Sequence, residues 1–152
     1  MSSKQVFHCL VAAVLAWAPL NAAAKVCNVA IGSNDAMQFD KQEIRIAADC
    51  TQVKLTLRHT GALPAEVMGH NWVLTTTANL EALAIAAGKL PANSDHVPKG
   101  DARVLAASKV VGGGQSTTFT FSTSALRKGG DYTFFCSVPG HWMMMQGKLV
   151  FG

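Results

Sequence analysis

The seven residues Gln52-Val53-Lys54-Leu55-Thr56-Leu57-Arg58 alternate polar and apolar, so Val53, Leu55 and Leu57 share one face of an extended chain. Side chains of a strand point to opposite faces in turn, and this alternation predicts a half-buried strand. The same rhythm runs through Val26 to Thr60, and further strand-like segments occur at Glu43 to Ala47, Trp72 to Thr76, Ser116 to Ser122, Asp131 to Cys136 and Gly147 to Phe151. Turn formers such as Gly112-Gly113-Gly114 and Gly129-Gly130 separate them. Many short strands joined in this way predict an all-β sandwich or barrel. One segment departs from the pattern: in Ala78 to Ala87, Leu80, Leu83, Ala84 and Ala87 keep the i, i+3, i+4, i+7 spacing of a short helix. Thr76 or Thr77 is placed to cap its start and Gly88 to end it. Leu90 to Asp101, polar and carrying two prolines, reads as a surface loop.

Residues 1–24 read as a secretory leader, with Lys4, an apolar run from Cys9 to Leu20, and Ala22-Ala23-Ala24 as a cleavage site. The mature chain then begins at Lys25, lies in the periplasm and has no membrane anchor, because no other apolar run approaches the roughly 20 residues of a membrane span. Residues 25–152 suit a single domain with one core. Without Lys4 the chain carries twelve basic and nine acidic side chains, a net charge of +3, and the basic residues are scattered. A nucleic-acid partner would need them gathered in a stripe, so that class is set aside.

Once Cys9 leaves with the leader, three cysteines remain: Cys27, Cys50 and Cys136. In an oxidising compartment two should pair, and Cys27 and Cys50, each at the end of a strand-like segment, are the candidates. Cys136 is left over, and a bound metal is the simplest occupant of such a thiol.

Four residues separate Cys136 from His141, and three separate His141 from Met145. A thiolate, an imidazole and a thioether suit copper better than magnesium, calcium or a hydrolytic zinc. A trigonal copper site needs a second imidazole, and the mature chain offers His59, His70 and His96 besides His141. His70 is the best of these, since it lies in Met68-Gly69-His70-Asn71-Trp72, where the glycine lets backbone approach an ion and Asn71 is placed to hydrogen-bond the ligand loop or the cysteine sulfur. His59 reads as a packed histidine at a strand end, and His96 as solvated in the polar loop. Trp72 and the pair Met143 and Met144 are explained by packing or by an adaptable surface.

These residues carry a resemblance. With Asn34-Asp35-Ala36-Met37-Gln38-Phe39, Val67-Met68-Gly69-His70-Asn71-Trp72-Val73-Leu74, and Tyr132-Thr133-Phe134-Phe135-Cys136 followed by Pro139-Gly140-His141, the mature chain resembles the azurins, bacterial blue-copper proteins of the cupredoxin family. The resemblance implies an eight-stranded Greek-key β-sandwich with one short inserted helix. It implies that His70, Cys136 and His141 form the equatorial plane around one copper ion. Met145 is then the weak axial ligand, and the Gly69 backbone carbonyl approaches from the opposite side. It implies a Cys27–Cys50 disulfide and a His59 that sits near the site, where some family members change protonation state. Val138 stands where azurins usually carry a phenylalanine.

The function this implies is a non-enzymatic electron carrier, since a filled ligand set leaves no position for a substrate. An apolar patch of Met37, Leu63, Val67, Met68, Val138, Pro139 and Met143 around His141 is expected to meet redox proteins transiently, such as c-type cytochromes or copper- or haem-containing reductases. A copper chaperone or storage protein is the alternative, supported by the run Met143 to Met145. A copper oxidase or nitrite reductase needs a further metal site with more histidines than His59 and His96 supply.

Overall fold

The computed structural model describes residues 24–152. The expected leader lies outside them except for Ala24. Two sheets face one another. The first has the order β2-β1-β4-β7, from Gln38–Phe39 (β2), Val26–Asn34 (β1), Gln52–His59 (β4) and Ser116–Ser122 (β7). The second has the order β3-β9-β8-β5-β6, from Glu43–Ile46, Gln146–Phe151, Tyr132–Phe135, Val73–Thr76 and Ala106–Ala107. The sandwich is therefore built from nine strand segments among the described residues, two of them only two residues long.

The alternation read in the sequence fixes which side chains face inward. Val53, Leu55 and Leu57 of β4 are buried while Lys54 points out, as a pleat with period two requires. Ile31, Ile44, Ile46, Leu74, Phe134, Leu149 and Phe151 complete the layer between the sheets. At its centre Trp72 is fully buried, with its ring centroid 6.0, 5.8 and 5.8 Å from those of Phe119, Phe121 and Phe134. Truncating a side chain packed in this way costs about 3–5 kcal/mol.

Both sheets contain one parallel pair, β1 with β4 and β3 with β9. Cys27 near the start of β1 and Cys50 just before β4 are joined by a disulfide with a Cα–Cα distance of 5.8 Å. It closes a 23-residue separation at the head of that parallel pair and contributes roughly 3 kcal/mol by restricting the unfolded chain.

The inserted helix spans Leu80–Gly88 (α2), after a 3-10 turn at Thr77–Asn79, and buries Leu80, Leu83, Ala84 and Ala87. Its capping differs from expectation. No side-chain cap bond forms, and the Thr77 hydroxyl instead meets that of Thr133 at 2.8 Å. Gly88 is the last helical residue and not a left-handed stop. Burial against Val73 and Phe135 holds this helix in place of a cap. A further turn of helix, Ala65–Met68 (α1), precedes the second sheet; four residues are too few for a periodic pattern to announce it.

Candidate metal centre

Strand pairing brings two distant segments of chain together. The antiparallel register Val73↔Phe135 between β5 and β8 continues past the strand ends. Asn71 and Ser137 meet there, with Ser137 N–H donating to Asn71 Oδ1 and Asn71 Nδ2 to Ser137 Oγ, both at 2.8 Å. His70 lies one residue further back, anchored to Val111 by reciprocal backbone bonds of 3.0 and 2.9 Å. Cys136 lies one residue nearer β8. The chain then turns through Pro139-Gly140, with Gly140 at φ +83°, a conformation that favours glycine. The turn returns His141 to the cysteine.

The result is a buried cluster in which ligand atoms of His70, Cys136 and His141 all lie within 4.8 Å of one another. His70 Nδ1 is 3.2 Å from His141 Nδ1, and Cys136 Sγ is 3.8 and 3.6 Å from these two nitrogens. Cys136 and His70 are fully buried and His141 is 8 % exposed. Three donors this close, with no carboxylate among them, form a soft and borderline set that fits copper.

Burial and local hydrogen bonds bias the chemical state of the donors. His70 Nε2–H donates to the Asn34 carbonyl at 2.8 Å, so the lone pair of a neutral ring lies on Nδ1, which faces the cluster. Burial lowers the His70 pKa to about 4, against the opposing pull of that carbonyl. Burial also lowers the His141 pKa, with His96 adding a smaller effect of the same sign. The Cys136 thiol is pushed up to about 12 by burial, although the backbone N–H groups of Asn71 and Val138 favour its thiolate. Both imidazoles are therefore favoured as neutral bases, whereas the thiol must release its proton to solvent as a cation takes its place on sulfur.

Met145 is fully buried in the same core as Cys136. Its carbonyl accepts the Cys136 N–H at 2.9 Å and its own N–H donates to the His141 carbonyl at 2.8 Å, so its backbone sits between both residues. Met143 and Met144 are 65 % and 61 % exposed, which separates them from Met145. Gly69 is buried and ends α1 by donating to the Ala65 carbonyl at 2.9 Å. A Cβ here would strike that carbonyl and come within 2.7 Å of Val110 Cγ1, so close approach explains the glycine.

Asn71 also reaches a third segment, since its Nδ2 donates to the Asp95 carbonyl at 2.8 Å while Ser137 Oγ donates to the His96 carbonyl at 2.7 Å. His59 is fully buried, its Nε2 bonded to the Met68 carbonyl at 2.8 Å and its Nδ1 accepting the Gly61 N–H at 3.0 Å. Its ring stacks on His70 with centroids 4.7 Å apart, so it supports the cluster from behind. His96 is half-buried, and its Nδ1 is buried with no hydrogen-bond partner among the described residues. Of the apolar residues expected around His141, Leu63, Val67, Pro139 and Met143 are exposed, and Met37, Met68 and Val138 are half-buried. Asn34, Asp95 and Ser137 were not singled out from the sequence as holding the site. Two of them act through carbonyls, which every residue type possesses.

The profile described as copper binding proteins, plastocyanin/azurin family, matches residues 25–152. The chain is 50 % identical over 126 residues to azurin from Bordetella pertussis, covering 81 % of this chain and 82 % of that one. It is 44 % identical over 138 residues to azurin from Achromobacter denitrificans, covering 91 % and 93 %. Among solved structures, the azurin Az-iso2 from the obligate methylotroph Methylomonas sp. strain J aligns with a TM-score of 0.80 at 37 % identity, over 83 % of this chain and 98 % of that one. The buried thiol and paired imidazoles, the two-sheet sandwich that brings them together and these likenesses agree: the chain belongs to the plastocyanin/azurin family of copper-binding proteins.

Proposed function

We propose that this protein is a periplasmic electron carrier whose mature form, residues 25–152, holds one copper ion through His70, Cys136 and His141. Met145 and the Gly69 carbonyl serve as further, weaker donors. The observation that carries this reading is the convergence of two imidazole Nδ1 atoms on one buried sulfur. Copper, when bound, supplies one-electron exchange between its cuprous and cupric forms. The chain supplies rigidity. His70 is fixed by Asn34 and Val111, Cys136 by Met145, and the two loops by Asn71, so the donors keep one arrangement in both oxidation states. Little rearrangement means a low barrier to electron transfer.

His141 is the donor with an exposed fraction, and it is flanked by exposed Pro139 and Met143. With Met37, Leu63, Val67, Met68 and Val138 these form the surface through which redox partners, such as c-type cytochromes or copper- or haem-containing reductases, exchange electrons. Such encounters use small interfaces that release quickly. The reading is tested by adding Cu(II) to the chain beginning at Lys25. An intense blue thiolate band that bleaches and returns through repeated redox cycles, without loss of metal, is the expected result.

The exposure of Met143 and Met144 favours a second reading, in which accessible thioethers pass copper to an acceptor as a chaperone or store does. Release of the ion on reduction or oxidation in the same experiment selects that reading.

A further inference from the structure

Three methionines follow one another after His141, and the fold treats them differently. Met143 and Met144 are 65 % and 61 % exposed, whereas Met145 is fully buried. The other methionines of the described residues, Met37 and Met68, are half-buried. The backbone beneath the exposed pair is pinned. The Met144 and Met145 N–H groups both donate to the His141 carbonyl, at 3.0 and 2.8 Å, and the Met143 carbonyl accepts from Gln146 Nε2 at 3.4 Å. Both exposed side chains therefore belong to a turn anchored on His141, the donor with an exposed fraction. Packing does not account for them, because neither joins a hydrophobic cluster of the core.

We propose that Met143 and Met144 are an oxidation site, at which a hydroperoxide converts both thioethers to sulfoxides and so makes polar the surface beside His141 where redox partners dock. A solvent-exposed thioether meets such an oxidant without any opening of the fold, which Met145 does not. The sulfur gives an electron pair to the terminal peroxide oxygen: the S–O bond forms as the O–O bond breaks. The sulfur is oxidised and the peroxide reduced, and the departing oxygen takes the proton of the transferred one and leaves as an alcohol, or as water from hydrogen peroxide. A sulfoxide is polar where the thioether was apolar, so a partner that covers it must strip water from it. The donors are spared, since Met145 is buried and the bonds of the turn run through the backbone. The effect on docking rests on the electron-carrier reading; the position of the oxidation does not.

The test treats the copper-loaded chain beginning at Lys25, in its cupric form, with tert-butyl hydroperoxide, and reads by peptide mass mapping where oxygen enters. Met143 and Met144 are expected to gain one oxygen atom each before Met37, Met68 or Met145 gains any, with the blue band unchanged. Electron exchange between two copies should then slow by about tenfold, the order of effect that an unpaired polar group brings to an apolar contact. Met143→Leu combined with Met144→Leu keeps the apolar bulk and removes the sulfur, so the oxidant should no longer shift the exchange rate of this variant from its own untreated value. Oxygen entering the other methionines as fast, an unchanged rate in the oxidised protein, or an equal slowing of the variant would each overturn the proposal. A chain with no blue band or no exchange before treatment speaks against the electron-carrier reading instead, and the order of oxygen uptake then still decides the site.

Discussion

His70 donates through Nε2 to the carbonyl of Asn34 at 2.8 Å, and its other nitrogen then lies 3.2 Å from Nδ1 of His141. One backbone oxygen thus decides which face of a buried ring is free to bind. His70→Ala removes the donor and leaves a hole beneath His59, which stacks upon it. The intense absorption on adding Cu(II) is expected to vanish, and the metal-free protein to lose about 2–4 kcal/mol in denaturant unfolding. Exogenous imidazole, which carries the same two ring nitrogens, should restore colour.

Copper capture should depend on pH with a defined slope. The His70 pKa is lowered to about 4 by burial, and the Cys136 thiol is raised to about 12 by the same cause. In the neutral range, above the lowered pKa values of both imidazoles and below that of the thiol, each ion displaces one proton, from the sulfur. Apparent affinity, measured by competition with a chelator, is therefore expected to rise about tenfold per pH unit through the neutral range. A flat profile would count against the buried thiol as a donor.

The metal-free fold should show the opposite end of the same linkage. An unfolded chain protonates His70 near 6.5, whereas the folded one resists until about 4. Below 6.5 the unfolded state binds more protons, so stability falls as pH drops towards 4 and is constant above 6.5 with respect to this group. Urea unfolding at several pH values checks the direction, and Cu(I) loading should suppress the slope.

Asn71 makes three side-chain bonds at 2.8 Å, two to Ser137 and one to the Asp95 carbonyl. Asn71→Ala leaves a buried Ser137 N–H without its acceptor and unties the two ligand segments. A loss of roughly 3 kcal/mol in stability is expected, together with faster loss of copper to a chelator. Unchanged copper release with lowered stability would limit Asn71 to a packing role.

Met68 is half-buried beside exposed Val67, in the turn that precedes His70. Met68→Lys places a charge on the surface expected to meet partners while leaving the donors untouched. Exchange between two copies of the protein should slow by about tenfold at low salt, since like charges then face one another, and the blue absorption should persist. A rate equal to that of the unaltered protein would move the docking surface elsewhere.

The strands were legible because burial on one face writes a period of two into the sequence; β7 matches its expected limits, Ser116–Ser122, and β4 extends by one residue to His59. The parallel pairing of β1 with β4 was not, since neighbours within a sheet are chosen by packing between segments far apart in the chain. Similar limits apply at the metal centre. Residue type and spacing singled out His70, Cys136 and His141, whose side chains carry rare chemistry and which the fold brings together. The Asn34 carbonyl and the N–H groups of Asn71 and Val138, which tune those donors, belong to the backbone and leave no mark on composition. His96 is half-buried although its loop is polar, and the bond from Ser137 that anchors it again uses a backbone carbonyl.

His70 and Cys136 stand 66 residues apart and are neighbours only because β5 lies against β8. Contacts of such range form late, after the entropy of closing the intervening chain has been overcome. Cys136, His141 and Met145 are close in sequence, but the second imidazole arrives from a remote stretch, so the full group of donors is a product of tertiary pairing and not of any one segment.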